Sequence, residues 1–181
     1  MSITRELSIY EKAFAKSDKT DAILVVDGIK LHVNKALLSY HSDYFNILFN
    51  SEFKEKSMEE IEIKDVNFEL FAILLSLVHS TPLAFTRSNT HYLLILADRF
   101  SLRASMLHLE RFIISSQYYS RLQKLVWADK YNLEDLLEHA IRLYNTRAAF
   151  QDFCITNDTD ISDGLKIKLF NKFFNTFGPT L

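Results

Sequence analysis

The sequence predicts an α+β fold, in which a short β-hairpin leads into a chain that is otherwise mostly helical. The hairpin signal is Asp27-Gly28 between the apolar runs 23–26 and 29–33, because a tight turn needs the positive φ that Gly accepts. Apolar residues then recur at helical spacing along most of the sequence. Only 3 Gly and 2 Pro occur among the 181 residues, which favours long helices over loops or disorder.

The first predicted element is a helix that precedes the hairpin. Four apolar residues lie on one face of it by their spacing of i, i+4, i+7 and i+11: Ile3, Leu7, Tyr10 and Phe14. This stripe can pack on its own domain or on a second copy of the chain, and periodicity does not distinguish the two.

Two helical segments and one further strand are predicted between residues 34 and 80. Residues 36–38 open a helical turn, and an aromatic helix with Tyr44 and Phe45 follows it. Residues 60–63 alternate charged and apolar side chains, which predicts a third strand that joins the hairpin. Asp65 or Asn67 then caps a helix to about residue 79, and since that helix is apolar nearly all round it is the predicted core helix.

The rest of the chain reads as helices and contains an internal repeat. Residues 97–102 (ADRFSL) are echoed by residues 128–133 (ADKYNL), which predicts two copies of one helix–turn–helix hairpin. The repeat makes Asp98 and Asp129 hydrogen-bonding residues at helix ends rather than a catalytic pair. A final capping helix is predicted from a stripe at i+4 spacing, with a membrane-surface helix as the alternative: Leu165, Leu169, Phe173 and Phe177.

Composition and charge exclude several classes of protein. A net charge of −2 provides no basic surface for nucleic acid. Cys154 is the only cysteine, which favours a reducing compartment. The first residues are too charged for a signal peptide, and no apolar run reaches the length of a membrane span. We therefore expect a soluble intracellular protein, cytoplasmic or nuclear or both, with no nucleic-acid or membrane partner.

No catalytic residue, metal site or cofactor site is predicted. The six His show no spacing typical of zinc ligands, and three Gly cannot build a phosphate-binding loop. Cys154 lacks the sequence context of a nucleophile. An interaction module remains, and its most informative residue is Phe53, which lies between Glu52 and Lys54 in a polar stretch. This Phe either anchors a partner or folds back on its own helix.

Several separated motifs resemble the BTB/POZ signature, in the same order along the chain. They are Asp21-Ala22, Val25-Val26-Asp27-Gly28, Leu31, Lys35-Ala36-Leu37-Leu38, Ser42-Asp43-Tyr44-Phe45, Phe49, Ile63-Lys64-Asp65-Val66, Phe68, Phe71 and Leu93-Leu94 with Leu96-Ala97-Asp98. The segments HVNKALLSYHSDYF and FKEKSMEEIEIKDV are most similar to the BTB domains of MATH-BTB proteins. No MATH domain is expected in the twenty residues before the first strand. The part from about residue 117 is similar to the BACK or 3-box helices that follow such domains.

The resemblance implies a small β-sheet flanked by helical hairpins and followed by an all-α BACK-like region. The corresponding division is an N-terminal helix and linker at 1–19, a BTB/POZ domain at 20–116 and the helical region at 117–181. Two departures stand out. Asn34 precedes Lys35 where the family commonly has His, and His79-Ser80-Thr81 replaces the usual Tyr-Thr-Gly.

The resemblance also implies adaptor work and dimerisation. Many members hold a cullin scaffold through a hydrophobic-x-Glu motif after the aromatic helix, and Phe53-Lys54-Glu55 stands at that place, with Tyr44 on the preceding helix. Family dimers often use an N-terminal helix, which favours the stripe of residues 3–14 as a dimer seam. The leading hypothesis is an adaptor that links a cullin-type ubiquitin ligase to an unknown substrate protein. The alternative is a protein that forms homodimers or heterodimers with other BTB proteins without bringing substrate.

Overall fold

The computed structural model describes residues 6–50, 60–155 and 161–178, which form two compact units, Met1–Leu109 and Glu110–Leu181. The α+β class is confirmed by three strands and a majority of helices. The strands are β1 Ala22–Val26, β2 Ile29–Val33 and β3 Glu60–Glu62. The helices of the first half are α1 Ile9–Ala13, α2 Lys35–His41, α3 Asp43–Asn50, α4 Phe68–Ser76 and α5 Arg87–Arg99. Those that follow are α6 Arg103–Ser115, α7 Arg121–Lys130, α8 Glu134–Arg142, α9 Arg147–Ile155 and α10 Asp163–Phe177. The boundaries predicted for the three domains stay a prediction.

The predicted hairpin and third strand form one sheet in the order β2-β1-β3. β1 pairs antiparallel with β2 and parallel with β3. Asp27 and Gly28 both have positive φ, 51° and 75°, as a two-residue type I′ turn requires. Leu24 and Leu31, which are opposite each other, are fully buried on the inner face. The sequence prediction is therefore confirmed for all three strands.

Helix α4 is the core helix of the first unit, as its uniform apolarity predicts. Seven of its residues are buried, from Phe68 to Ser76, and Asn67 caps its N-terminus by accepting the amide of Leu70 at 3.0 Å. Asn34, the first departure from the family pattern, has a comparable role at α2. Its side chain accepts the amide of Leu37 at 2.8 Å, so the substitution leaves this helix with a working N-cap.

The two copies of the predicted repeat have the same backbone turn. In residues 97–102 and 128–133 alike, the amide of the last residue donates to the carbonyl of the first at 2.9 Å. Ser101 and Asn132 occupy the equivalent position of each turn with positive φ, 49° and 52°. This six-to-one hydrogen bond closes the end of the first helix, and the next helix begins after the Leu. The repeat is confirmed at the level of the helix–turn–helix hairpin.

The second unit has its own aromatic core, to which the final helix contributes. Tyr144, Leu165 and Leu169 are buried there, together with Phe150. The predicted stripe of α10 is the face that packs inward. The carboxylate of Asp129 accepts the amide and the hydroxyl of the residue that caps α10, Ser162, at 2.6 and 2.7 Å.

A pair of Gly substitutions tests the turn geometry. Gly28→Ala should lower the free energy of unfolding by about 1–2 kcal/mol, because an L residue is strained at positive φ although no atom lies within 4 Å of the new Cβ. Gly164→Ala should raise it by up to about 1 kcal/mol, because this Gly lies in the first turn of α10. Urea denaturation of both variants measures whether the free energy of unfolding falls in the first and rises in the second. A neutral Gly28→Ala would contradict the type I′ turn.

Candidate partner-binding surface

Helix α3 is held in place by one buried serine. The Ser42 hydroxyl donates to the carbonyl of Phe100 at 2.6 Å and accepts the amide of Phe45 at 3.0 Å. Ser42 also forms an isolated β-bridge with Leu102 and is only 2% exposed. The start of α3 is therefore tied to the turn between α5 and α6, and the helix is a rigid support for its outer side chains.

An aromatic cluster packs against the buried side of the same helix. The rings of Tyr44, Phe45 and Phe71 lie 5.0, 5.9 and 5.1 Å from the ring of Phe100, measured between centroids. Phe45 and Phe49 point inward and are buried. Tyr44 packs edge-on against this cluster yet remains 37% exposed. The ring of Tyr44 is therefore held in place by packing, while part of it remains accessible to a partner.

The outer side of α3 presents apolar side chains to solvent. Ile47, one turn after Tyr44, is 60% exposed, and Tyr40 on the preceding α2 is 85% exposed. We call the outer side of α3, formed by Tyr44 and Ile47, the α3 face. Sequence reasoning named Tyr44 but missed Ile47. The sequence did contain an indication of its exposure, because Ile47 lies off the i+4 stripe formed by Phe45 and Phe49.

The other residues predicted to bind a cullin follow directly on this helix. Phe53, Lys54 and Glu55 lie outside the described residues, so their role stays a prediction. The last residue of α3 is Asn50, three positions before Phe53. The motif thus follows shortly after α3 in the sequence.

The residues predicted for dimerisation have different surroundings. Ile3 lies outside the described residues, and Leu7 precedes the helix, because the capping box of Ser8 and Glu11 starts α1 at Ile9. Leu7 is 48% exposed. α1 is therefore shorter than the predicted helix, and dimerisation through this segment stays a prediction.

The inner side of the same segment packs on its own unit. Phe14 is 1% exposed, and its ring lies 5.4 Å from the ring of His79, which is the second departure from the family pattern. Tyr10 meets the ring of Phe68 at 6.3 Å. Among the described members of the predicted stripe, Leu7 is exposed, Tyr10 is partly buried and Phe14 is buried.

Burial lowers the pKa of one lysine and two histidines among the described residues. Lys124 is 4% exposed, and its Nζ donates to the carbonyl of Ile114 at 3.1 Å and lies 3.4 Å from Nε2 of His139. Burial lowers the pKa of Lys124. Burial and the charges of Lys124 and Arg142 lower the pKa of His139, and burial lowers that of His79. The described part of the chain contains no group of three or more His, Cys, Asp or Glu able to hold a metal ion.

The profile of the BTB/POZ domain matches residues 10–117, more than half of the sequence. The chain therefore belongs to the BTB/POZ domain family, and the resemblance is confirmed. BTB/POZ domains are protein-interaction domains, and this membership supports an adaptor role. Within the described residues, no helix is long and apolar enough to cross a membrane.

Two curated relatives share the domain. BTB and MATH domain-containing protein 38 of Caenorhabditis elegans is 33% identical over 176 residues, which are 97% of this chain and 42% of that protein. Kelch repeat and BTB domain-containing protein 1 of vaccinia virus (strain Copenhagen) is 24% identical over 155 residues, 80% of this chain and 28% of that protein. The chain spans less than half the length of either relative.

Among solved structures, the BTB domain of human gigaxonin is similar to part of this chain. The TM-score is 0.46 at 20% sequence identity, and the match covers 60% of this chain and 97% of that domain.

The lowered histidine pKa values predict a pH-dependent stability. A histidine with a depressed pKa in the folded state contributes stability above its ordinary pKa of 6.5 and loses it as the pH falls below that value. We expect the free energy of unfolding to decrease between about pH 7 and pH 5. Urea denaturation across this range should show a smaller decrease in the free energy of unfolding for the double variant His79→Gln/His139→Gln than for the unmodified chain. Above about pH 7.5 the two proteins should have parallel profiles, since both histidines are then neutral in both states. An equal decrease in the double variant would show that these two histidines do not cause the pH dependence.

Proposed function

We propose that this protein is an adaptor that links a cullin-type ubiquitin ligase to a target protein. The supporting observation is the α3 face, where Tyr44 and Ile47 are accessible on a helix whose start is fixed by Ser42. In the sequence, the predicted motif Phe53-Lys54-Glu55 begins three positions after the last residue of that helix. Relatives that join a BTB domain to a MATH domain or Kelch repeats are consistent with such a role. An intracellular location belongs to the same proposal.

The physical basis is the cost of leaving apolar side chains in water. Fully burying one such side chain contributes about 1.5–3 kcal/mol, which is the size of an interface hot spot. Ile47 and Tyr44 retain part of that area in the isolated chain. Because α3 is already ordered, a partner would not lose binding energy to ordering it.

Binding to the N-terminal region of a cullin tests the proposal. Phe53→Ala, Glu55→Ala and Ile47→Ala should each raise Kd at least about five-fold, since each removes one anchor of the surface. Phe170→Ala is the matched control, because it removes a comparably exposed apolar side chain from the second unit. Biolayer interferometry measures the Kd of the unmodified chain and of the four variants. No binding by the unmodified chain, or equal binding by all variants, would reject the cullin assignment.

The second candidate function is oligomerisation with BTB relatives. It is favoured by the exposure of Leu7 and Ile9, 48% and 63%, beside a segment whose inner side is already packed. Such side chains are what a second copy would cover.

Light scattering distinguishes this candidate. The unmodified chain should form a dimer, and Leu7→Asp should shift it toward the monomer because a charge would be buried in the seam. Lys16→Glu, an exposed change outside the stripe, serves as the control. A monomer at every concentration would exclude the oligomerisation function.

A further inference from the structure

The second unit contains an open groove between α9 and α10. Its volume is about 430 Å³, and its walls are mainly apolar. Its apolar lining consists of the buried or half-buried Phe150, Phe153, Leu169 and Phe173 together with the exposed Phe170. Cys154, the only cysteine of the sequence, lines the same groove and is exposed.

The groove lies beside a second apolar row on α10. The inward stripe of this helix is buried or half-buried in the core, but Ile167, Phe170 and Phe174 are 61%, 65% and 51% exposed. They follow one another at i, i+3 and i+7, and the rings of Phe170 and Phe174 stack at 6.2 Å. α10 is therefore apolar on two sides, of which its own unit covers one. A contiguous row of this kind is typical of a surface that a partner covers.

The charges around the groove are basic. The charged side chains that line it are those of Arg147 and Lys166. Between Gly164 and Gly178 the sequence contains three Lys and no Asp or Glu. Lys166 pairs with Asp163 at 2.8 Å, but both side chains are exposed, so this ion pair is weak and the lysine can also meet a partner. A partner with acidic side chains would complement this rim.

We propose that the α9–α10 groove binds an amphipathic helix of a partner protein, with acidic residues flanking its apolar ones. The concave shape fits a ridge of side chains, whereas a membrane surface offers none. The basic rim disfavours a second α10, because docking it would bring lysines against lysines. The groove and the α3 face belong to different units of the chain, and this proposal does not depend on cullin binding.

A designed peptide is the probe. It has about four helical turns, Leu at i, i+3, i+4 and i+7, and Glu on the flanks. A scrambled peptide of the same composition is the control. Binding is followed by fluorescence anisotropy and by the rate at which Cys154 reacts with a thiol reagent. Because Cys154 is the only cysteine, a slower reaction reports occupation of this groove.

Variants assign the binding to named residues. Phe170→Ala should raise the peptide Kd at least about ten-fold, and Lys166→Glu about two- to five-fold, the range for losing an exposed ion pair. Ile47→Ala and Lys16→Glu are matched for apolar loss and charge change, and both should bind the peptide as the unmodified chain does. Ile47→Ala should weaken only cullin binding and Phe170→Ala only peptide binding, so the two assays separate failure of one proposal from failure of the other.

Three outcomes would overturn the proposal. One is equal binding of the scrambled peptide, and another is binding without protection of Cys154. The third is occupation of the groove by something else. That would be shown by self-association that Phe170→Ala abolishes, or by binding to anionic vesicles but not to the peptide.

Discussion

Phe100 is the residue on which the first unit depends most directly. Its carbonyl accepts the Ser42 hydroxyl, and its ring contacts Tyr44, Phe45 and Phe71. Both polar atoms are buried, so losing the hydroxyl would leave the carbonyl without its partner. The turn between α5 and α6 thereby fixes the start of α3 and, with it, the direction in which the α3 face points.

The α3 face and the outer row of α10 follow the same physical logic. Each helix buries one apolar side in its own unit and exposes further apolar side chains on the other side, such as Ile47 and Phe170. The buried side is sufficient to hold the helix in place. The exposed side therefore adds apolar area that folding does not use, which is the signature of an interaction protein.

The internal repeat shows how one local motif acquires different roles. Both copies close with the same turn, but Asp129 also binds the capping residue of α10 through its carboxylate. Earlier in the chain, the buried carboxylate of Glu110 in α6 accepts the amide of Leu136, which lies in the first turn of α8, at 2.8 Å. α8 has no side-chain cap of its own, so a residue from another helix supplies one.

Local patterns in the sequence were enough for the hairpin turn at Asp27-Gly28, the core helix α4 and the repeated turns. Each depends on φ angles, hydrogen bonds and apolar spacing within a few residues. The tertiary structure decided which members of a stripe are buried, leaving Leu7 exposed and Phe14 covered. It also decided that α10 keeps a second apolar row in solvent. These outcomes depend on contacts between segments far apart in the chain, which the periodicity of one segment does not contain.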